Sequence, residues 1–338
     1  MANIDWKNLG FSYMQVNCHA QHMWRGGVWD EGVLVAEPFL KLHIAASALH
    51  YGQAAFEGLK AFRQKNGDIV LFRPRDNARR MRETALRTCM PPVPEELFLE
   101  TCRRAVRANM EFVPPYGTGG SLYIRPLLIG SGPQIGVAPA DEYAFIVMVM
   151  PVGPYYKGGL KPVKAIVYDN YDRAAPQGVG HIKVAGNYAA SLYPHVEAKN
   201  AGYPVELYLD AREHKWVEEF ATSNFIGITR GNNYVTPKSD SILPSITNMA
   251  LQGIAADLGM KVEVRPVPFE EIETFAEVGA CGTAVVVTPV SQITRGGRVI
   301  QTGPADGCGP VLAQLYREVQ AVQYGEKPDP HGWCLNVG

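Results

Sequence analysis

One lysine in this sequence stands in unusual company. Lys183 lies in HIKVAGNYAASLY, an apolar, glycine-containing stretch in which the next charged residue toward the C-terminus is Glu197. Burial in such surroundings disfavours an ammonium and moves the amine toward use as a nucleophile. At a strand end, the same side chain would instead carry its amine out to water. Three other features bear on that choice. Tyr188 follows closely, with Gly186 and Asn187 between, so a phenol could reach the same ligand. VEEFATSNF (217–225) sets Glu218 and Glu219 before Thr222 and Ser223. On an extended strand the two acids point to opposite sides, so only one can face a pocket. SILPSITNMA (241–250) opens a helix with Ser245 and Thr247. The first amides of a helix lack partners and sit at the positive end of its dipole, which suits phosphate.

These residues need elements to hold them, and the pattern supplies both strands and helices. Ile69 to Phe72 reads as a strand after an Asn66-Gly67 turn. Asp76 to Arg87 reads as a helix with a basic face, and Glu95 to Phe112 as a second, amphipathic one. Ser121 to Ile129 and Tyr143 to Val152 are apolar strands, followed by GPYYKGGLKP, whose Gly, Pro and Lys suit an interdomain linker. Beyond it, strands are expected at Val163–Tyr168, Val205–Leu209, Val262–Pro268 and Ala284–Pro289. Helices are expected at Ala189–Ala201, Pro244–Leu258 and Val311–Tyr324. This mixture, in both halves, argues for an α/β (α+β) protein of two domains. They divide as a small N-terminal α/β domain at 1–152, a loop at 153–162 and a C-terminal domain at 163–338.

Composition excludes several classes. The 338 residues are 46% hydrophobic and 19% charged, as in folded domains. Thirty-two basic residues against thirty-three acidic leave a net charge of -1. No broad basic field exists to hold nucleic acid or anionic lipid. The longest near-continuous apolar run, Tyr143 to Val152, is far short of the roughly 20 residues a membrane helix needs. The N-terminus shows no basic segment leading into an apolar one, so no secretory signal is expected. Six cysteines are scattered without a C-x-x-C pair. That suits reduced thiols in a cytoplasmic protein better than disulfides or a metal site, and no metal is expected.

Taken together, LHYGQAAFEGLKAFR (49–63), LFRPRDNARRM (71–81), SLYIRPLLIG (121–130), IKVAGNY, EEFATSNF, ILPSIT and GACGTAVVVTPV (279–290) resemble the branched-chain amino-acid aminotransferases. These are pyridoxal-phosphate (PLP) enzymes of the class IV aminotransferase fold, with a smaller N-terminal α/β domain and a larger C-terminal pseudo-barrel. The resemblance implies that Lys183 forms a Schiff base with PLP and shuttles the proton. It places Tyr188 near the cofactor's O3′ and pairs Glu219 with the pyridine nitrogen. Arg80, Thr222, the amides of Ile246 and Thr247, and Thr283 complete the cofactor set. Phe11, Tyr51, Tyr123, Arg125, Tyr155, Thr283 and Ala284 would line the substrate side. Two positions depart from the class pattern, Ile226 in place of an aromatic and Asn248 in place of Lys or Arg. The redox C-x-x-C of mammalian members is replaced by Val285 and Thr288.

The implied reaction moves an amino group from Leu, Ile or Val to 2-oxoglutarate. Apolar side chains call for an apolar pocket, which Phe11, Tyr51, Tyr123 and Tyr155 suit. Glutamate calls for a cation, for which Arg125 with the Tyr123 hydroxyl is the candidate. D-amino-acid aminotransferases and aminodeoxychorismate lyases share the fold but lack the YIRPLLIG block. The resemblance further implies a homodimer acting on small molecules, in which pocket residues are lent across the interface.

Overall fold

The structure is a computed structural model and describes residues 4–6, 8–153 and 160–338. Most of the GPYYKGGLKP segment, including Tyr155, lies outside the described residues. The chain forms two compact units. The first comprises Met1–Tyr155, Ile182–Gly186 and Ala321–Gly338, and the second Tyr156–His181 and Asn187–Gln320. Lys183 therefore belongs to the first unit, remote in sequence from most of it.

The first unit is built on a nine-stranded sheet. Its strands run in the order Cys334–Asn336, Ile69–Phe72, Leu59–Arg63, Ser121–Gly130, Tyr143–Val152, His19–Arg25 and Val28–Trp29. Val33–Val35 adds to His19–Arg25, and Ala54–Phe56 adds to Ser121–Gly130. The two long central strands pair antiparallel from Ser121↔Val152 to Gly130↔Tyr143. Because side chains alternate along a strand, each carries two different surfaces. Leu122, Ile124, Leu128, Phe145, Val147 and Val149 join one core with the buried faces of the Pro74–Arg87 and Glu95–Arg107 helices. The intervening residues, including Tyr123, Arg125, Met148 and Met150, point the other way, and register places Tyr123 against Met150 and Arg125 against Met148.

In the second unit, six strands close on themselves. Val217–Phe220, Val205–Leu209, Val163–Val167, Val286–Arg295, Phe275–Gly282 and Ser223–Thr229 pair in that order, and the last pairs with the first. Val163–Val167 is parallel to both of its neighbours. Tyr234–Pro237 and Val262–Arg265 extend the sheet from Ser223–Thr229. Leu207, Leu209, Phe220, Phe225, Val278 and Val290 contribute to the core.

Several elements differ from their sequence expectation for local reasons. The expected helix 189–201 is two helices, Ala185–Ala190 and Leu192–Asn200. Pro194, which has no N–H to return to the preceding turn, explains the break. The helix expected from Pro244 starts at Ile246, after Ser245, whose hydroxyl accepts a hydrogen bond from the Asn248 amide at 3.1 Å. The strand expected from Ala284 starts at Val286, because Thr283–Val285 forms the turn of a hairpin. VEEFATSNF is likewise a hairpin, with Ala221 and Thr222 at its turn.

A buried carboxylate caps a helix of the second unit. The buried Glu277 carboxylate accepts hydrogen bonds from the amides of Val311 (3.0 Å) and Leu312 (2.9 Å) at the start of the Pro310–Gln323 helix. A carboxylate at that end satisfies orphan donors and faces the positive end of the dipole. Glu277→Ala is expected to lower the free energy of unfolding by about 2 kcal/mol, with Glu277→Gln in between. Urea denaturation checks this, and coincident curves for wild type and Glu277→Ala would deny the cap its role.

Candidate active site

In the first unit, the backbone of Lys183 is held on both sides. Its amide donates to the Thr84 hydroxyl at 3.0 Å, and its carbonyl accepts from the Phe56 amide at 3.2 Å. The neighbouring Val184 bridges to Ala55. Thr84 in turn donates to the Arg80 carbonyl at 3.0 Å, one turn back on the Pro74–Arg87 helix. The Lys183 amine lies 4.6 Å from the centre of the Phe56 ring. The guanidinium of Arg125 lies 4.9 Å from the same ring. The Phe56 ring thus lies against both the Lys183 amine and the Arg125 guanidinium.

Arg80 and Thr84 share a face of their helix, since residues four apart are neighbours. The Arg80 guanidinium is gripped by Glu57, with Nε to Oε1 and Nη2 to Oε2 both at 2.8 Å. Glu57 is fully buried and Arg80 is 7% exposed. Asn77 adds a donor to Glu57 Oε2 at 2.7 Å.

Tyr123 accepts a hydrogen bond from Arg125 Nη2 at 2.9 Å, which leaves the phenol's own proton for another acceptor. Arg125 Nε is buried with no partner among the described residues. Phe11 meets the Tyr123 ring edge-on at 5.0 Å. Across the register from Tyr123 is Lys60, whose ammonium burial pushes down to about 8. A Cβ on Gly58 would stand 2.3 Å from the Tyr123 hydroxyl, so only glycine lets the phenol lie over this backbone. Tyr51 is exposed and donates to the Ile135 carbonyl.

The second unit carries Tyr188, Glu219, Thr222, Ile246, Thr247, Thr283 and Ala284. Glu218 and Glu219 are both buried, and each has its own partner. Glu218 accepts from the Ser239 hydroxyl at 2.7 Å, and burial raises its carboxyl above the usual range. Glu219 accepts from the Leu243 amide at 2.8 Å and pairs with Arg173 at 2.7 Å. Arg173 also donates to the carbonyls of Gly180 and Ser241. Ile246 and Thr247 are the first two residues of their helix, where the helix itself offers their amides no carbonyl. Thr222 is exposed at its turn, and Thr283 and Ala284 stand at theirs.

The two departures from the class pattern are accounted for. Ile226 is a fully buried core residue opposite Gly279. Asn248 accepts from Tyr234 at 2.6 Å and donates to Thr236 at 2.8 Å, so it works inside the fold. Glu57, Thr84, Lys60 and Arg173 are absent from the sequence expectation. Glu57 and Lys60 lie within the LHYGQAAFEGLKAFR block, close to Tyr51, whereas Arg173 has no local signal at all.

The sequence model of the class IV amino-transferases matches residues 54–293. A Haemophilus influenzae protein named branched-chain-amino-acid aminotransferase is 48% identical over 343 residues, covering 100% of both chains. The chain belongs to the class IV amino-transferase family. Among solved structures, the branched-chain amino acid aminotransferase from the thermophilic archaeon Thermoproteus uzoniensis with norvaline superposes with a TM-score of 0.77 at 28% identity. The match covers 94% of this chain and 100% of that one. The T.th. branched-chain amino acid aminotransferase complexed with N-(5′-phosphopyridoxyl)-L-glutamate gives a TM-score of 0.78 at 26% identity, covering 96% of this chain and 100% of that one.

Proposed function

We propose that this protein transaminates branched-chain L-amino acids (Leu, Ile and Val) with 2-oxoglutarate, using PLP carried on Lys183. The observation that carries the reading is the placement of Lys183. Its peptide is fixed by Thr84 and Phe56, and its amine lies against a ring shared with Arg125. The near-complete coverage by relatives bearing that name supports it.

The residues present suit the cofactor. PLP supplies an aldehyde for the lysine and a ring that withdraws electrons from the substrate's Cα. Lys183 serves as covalent partner and, when released, as the base that moves the Cα proton. Arg80 offers a permanently charged donor for the phosphate, with the amides of Ile246 and Thr247 and the hydroxyl of Thr283 as further donors. Glu219, held by Arg173 and the Leu243 amide, offers a carboxylate to the pyridine nitrogen. Tyr188 and Thr222 complete this set.

Phe11, Tyr51, Tyr123 and Tyr155 give the apolar wall, and Thr283 with Ala284 the carboxylate contacts. The Nε of Arg125 and the phenol proton of Tyr123, neither with an acceptor among the described residues, suit the second carboxylate of glutamate. The structural neighbour's complex with a phosphopyridoxyl-glutamate supports a place for it. The exposed apolar side chains of the first unit, with Phe39 79%, Ile44 83% and Val137 88% exposed, support a homodimer that covers them. No helix among the described residues is long and apolar enough to cross a membrane, and the cysteines are free thiols, which suits a cytoplasmic setting; cell fractionation checks that placement.

The purified protein is expected to absorb in the near-visible range and to change its spectrum when L-leucine is added. Borohydride reduction and peptide mapping should place the pyridoxyl label on Lys183, and a label on another lysine would overturn the assignment. Arg125→Ala should lower kcat/KM for glutamate about 10- to 100-fold while changing that for leucine far less. Equal losses for both amino acids would remove Arg125 from glutamate recognition. Sedimentation equilibrium should return twice the chain mass, and a monomer that is fully active would refute the shared pocket.

A further inference from the structure

Arg80 meets two demands that conflict. A phosphate-binding arginine must present charge to an anion, yet this guanidinium is already paired with a carboxylate that has no exposure at all. A buried carboxylate beside an anion site lowers the net attraction for the anion. Its presence therefore needs a reason other than affinity through charge. The geometry supplies one. Glu57 takes the Nε–Nη2 edge of the guanidinium in a two-point fork, which fixes both the plane and the rotation of the group. The Glu57 carboxylate is itself fixed, by Asn77 at 2.7 Å and by the Gly58 amide at 3.3 Å.

The same short segment also locates the lysine. Phe56, the residue before Glu57, donates its amide to the Lys183 carbonyl, and its ring lies under the Lys183 amine. Thr84, one turn beyond Arg80, receives the Lys183 amide. Residues 56–57 and the turn from Arg80 to Thr84 thus hold the amine and the guanidinium in one frame, all within the first unit.

We infer that Glu57 is a positioning residue that sets the orientation of Arg80 relative to Lys183, so that a ligand bearing both an aldehyde and a phosphate is received in one pose. The inference rests on the proposed role of Arg80 as phosphate ligand. Its signature is discrimination between PLP and pyridoxal, which has the same ring and aldehyde but no phosphate.

The test measures dissociation constants of both compounds, by absorbance titration of the cofactor-depleted enzyme, for wild type and for the Glu57→Gln, Asn77→Ser and Arg80→Met variants. Glu57→Gln keeps the size of the side chain but places an amide N–H against an arginine N–H, which breaks the fork. PLP binding should weaken by about tenfold or more, with pyridoxal binding nearly unchanged. Asn77→Ser, which loosens Glu57 without removing it, should give a smaller change of the same kind and carries the test if Glu57→Gln does not fold. In the Arg80→Met background, Glu57→Gln should have no further effect on the PLP to pyridoxal ratio. A ratio that stays at the wild-type value, or PLP binding that tightens, in the Glu57 and Asn77 variants would overturn the inference. A ratio unchanged in Arg80→Met would instead overturn the reading of Arg80 itself.

Discussion

The clamp on the Lys183 peptide is the constraint on which the rest of the first unit turns. In the role proposed for Lys183, an amine acting as a nucleophile must be held where its partner arrives, and a long, flexible side chain gives no such guarantee. Here the guarantee comes from the main chain. Thr84 takes the amide and Phe56 meets the carbonyl, so the side chain starts from a fixed origin. Thr84 can do this only because the Pro74–Arg87 helix is packed into the core through Ala78, Met81 and Ala85. Phe56 can do it only because its strand is paired to Ser121–Gly130. Core packing and the placement of the Lys183 peptide are in this way parts of one arrangement.

The central strands divide the two duties by parity. Even-numbered residues of Ser121–Gly130, such as Leu122 and Ile124, go to the helical core, while Tyr123 and Arg125 go to the opposite surface. A slip of one residue would exchange them and bury a guanidinium among Phe98 and Leu99. The long antiparallel register with Tyr143–Val152 opposes such a slip. In the second unit, closure of six strands into a ring serves a similar end. It gives fixed positions to the hairpin turns that carry Thr222 and the Thr283-Ala284 pair.

Much of this is legible in the sequence alone. The strands Ser121–Ile129 and Tyr143–Val152 announce themselves through apolar content, and the helices at 76–87 and 95–112 through their periodicity, although the second ends at Arg107 and a separate short turn follows at Met110–Phe112. The motif blocks single out Lys183 and its proposed companions. What stays hidden depends on contacts between distant segments. Arg173 finds Glu219 across more than forty residues of chain, and nothing in its own neighbourhood marks it. Glu57 sits inside a motif block, between two strands, and an acid there reads as a solvated charge until its arginine is seen. The turn at 221–222 reads as strand, and the strand at 284–289 reads two residues too early, because the turn residues are small or β-branched and carry no Gly-Asn signal.

Gly58 sets a limit on how the surroundings of Tyr123 can be remodelled. The phenol of Tyr123 rests directly on its backbone, with no space for even a methyl group. In the proposed role of Tyr123, the surface beneath its phenol is fixed by Gly58, and changes in the range of accepted amino acids would have to be sought elsewhere in the pocket. Under that proposal, a variant library that places its diversity at Phe11 or Tyr51 leaves the Tyr123 phenol where it is; one that places it at residue 58 samples displaced phenols.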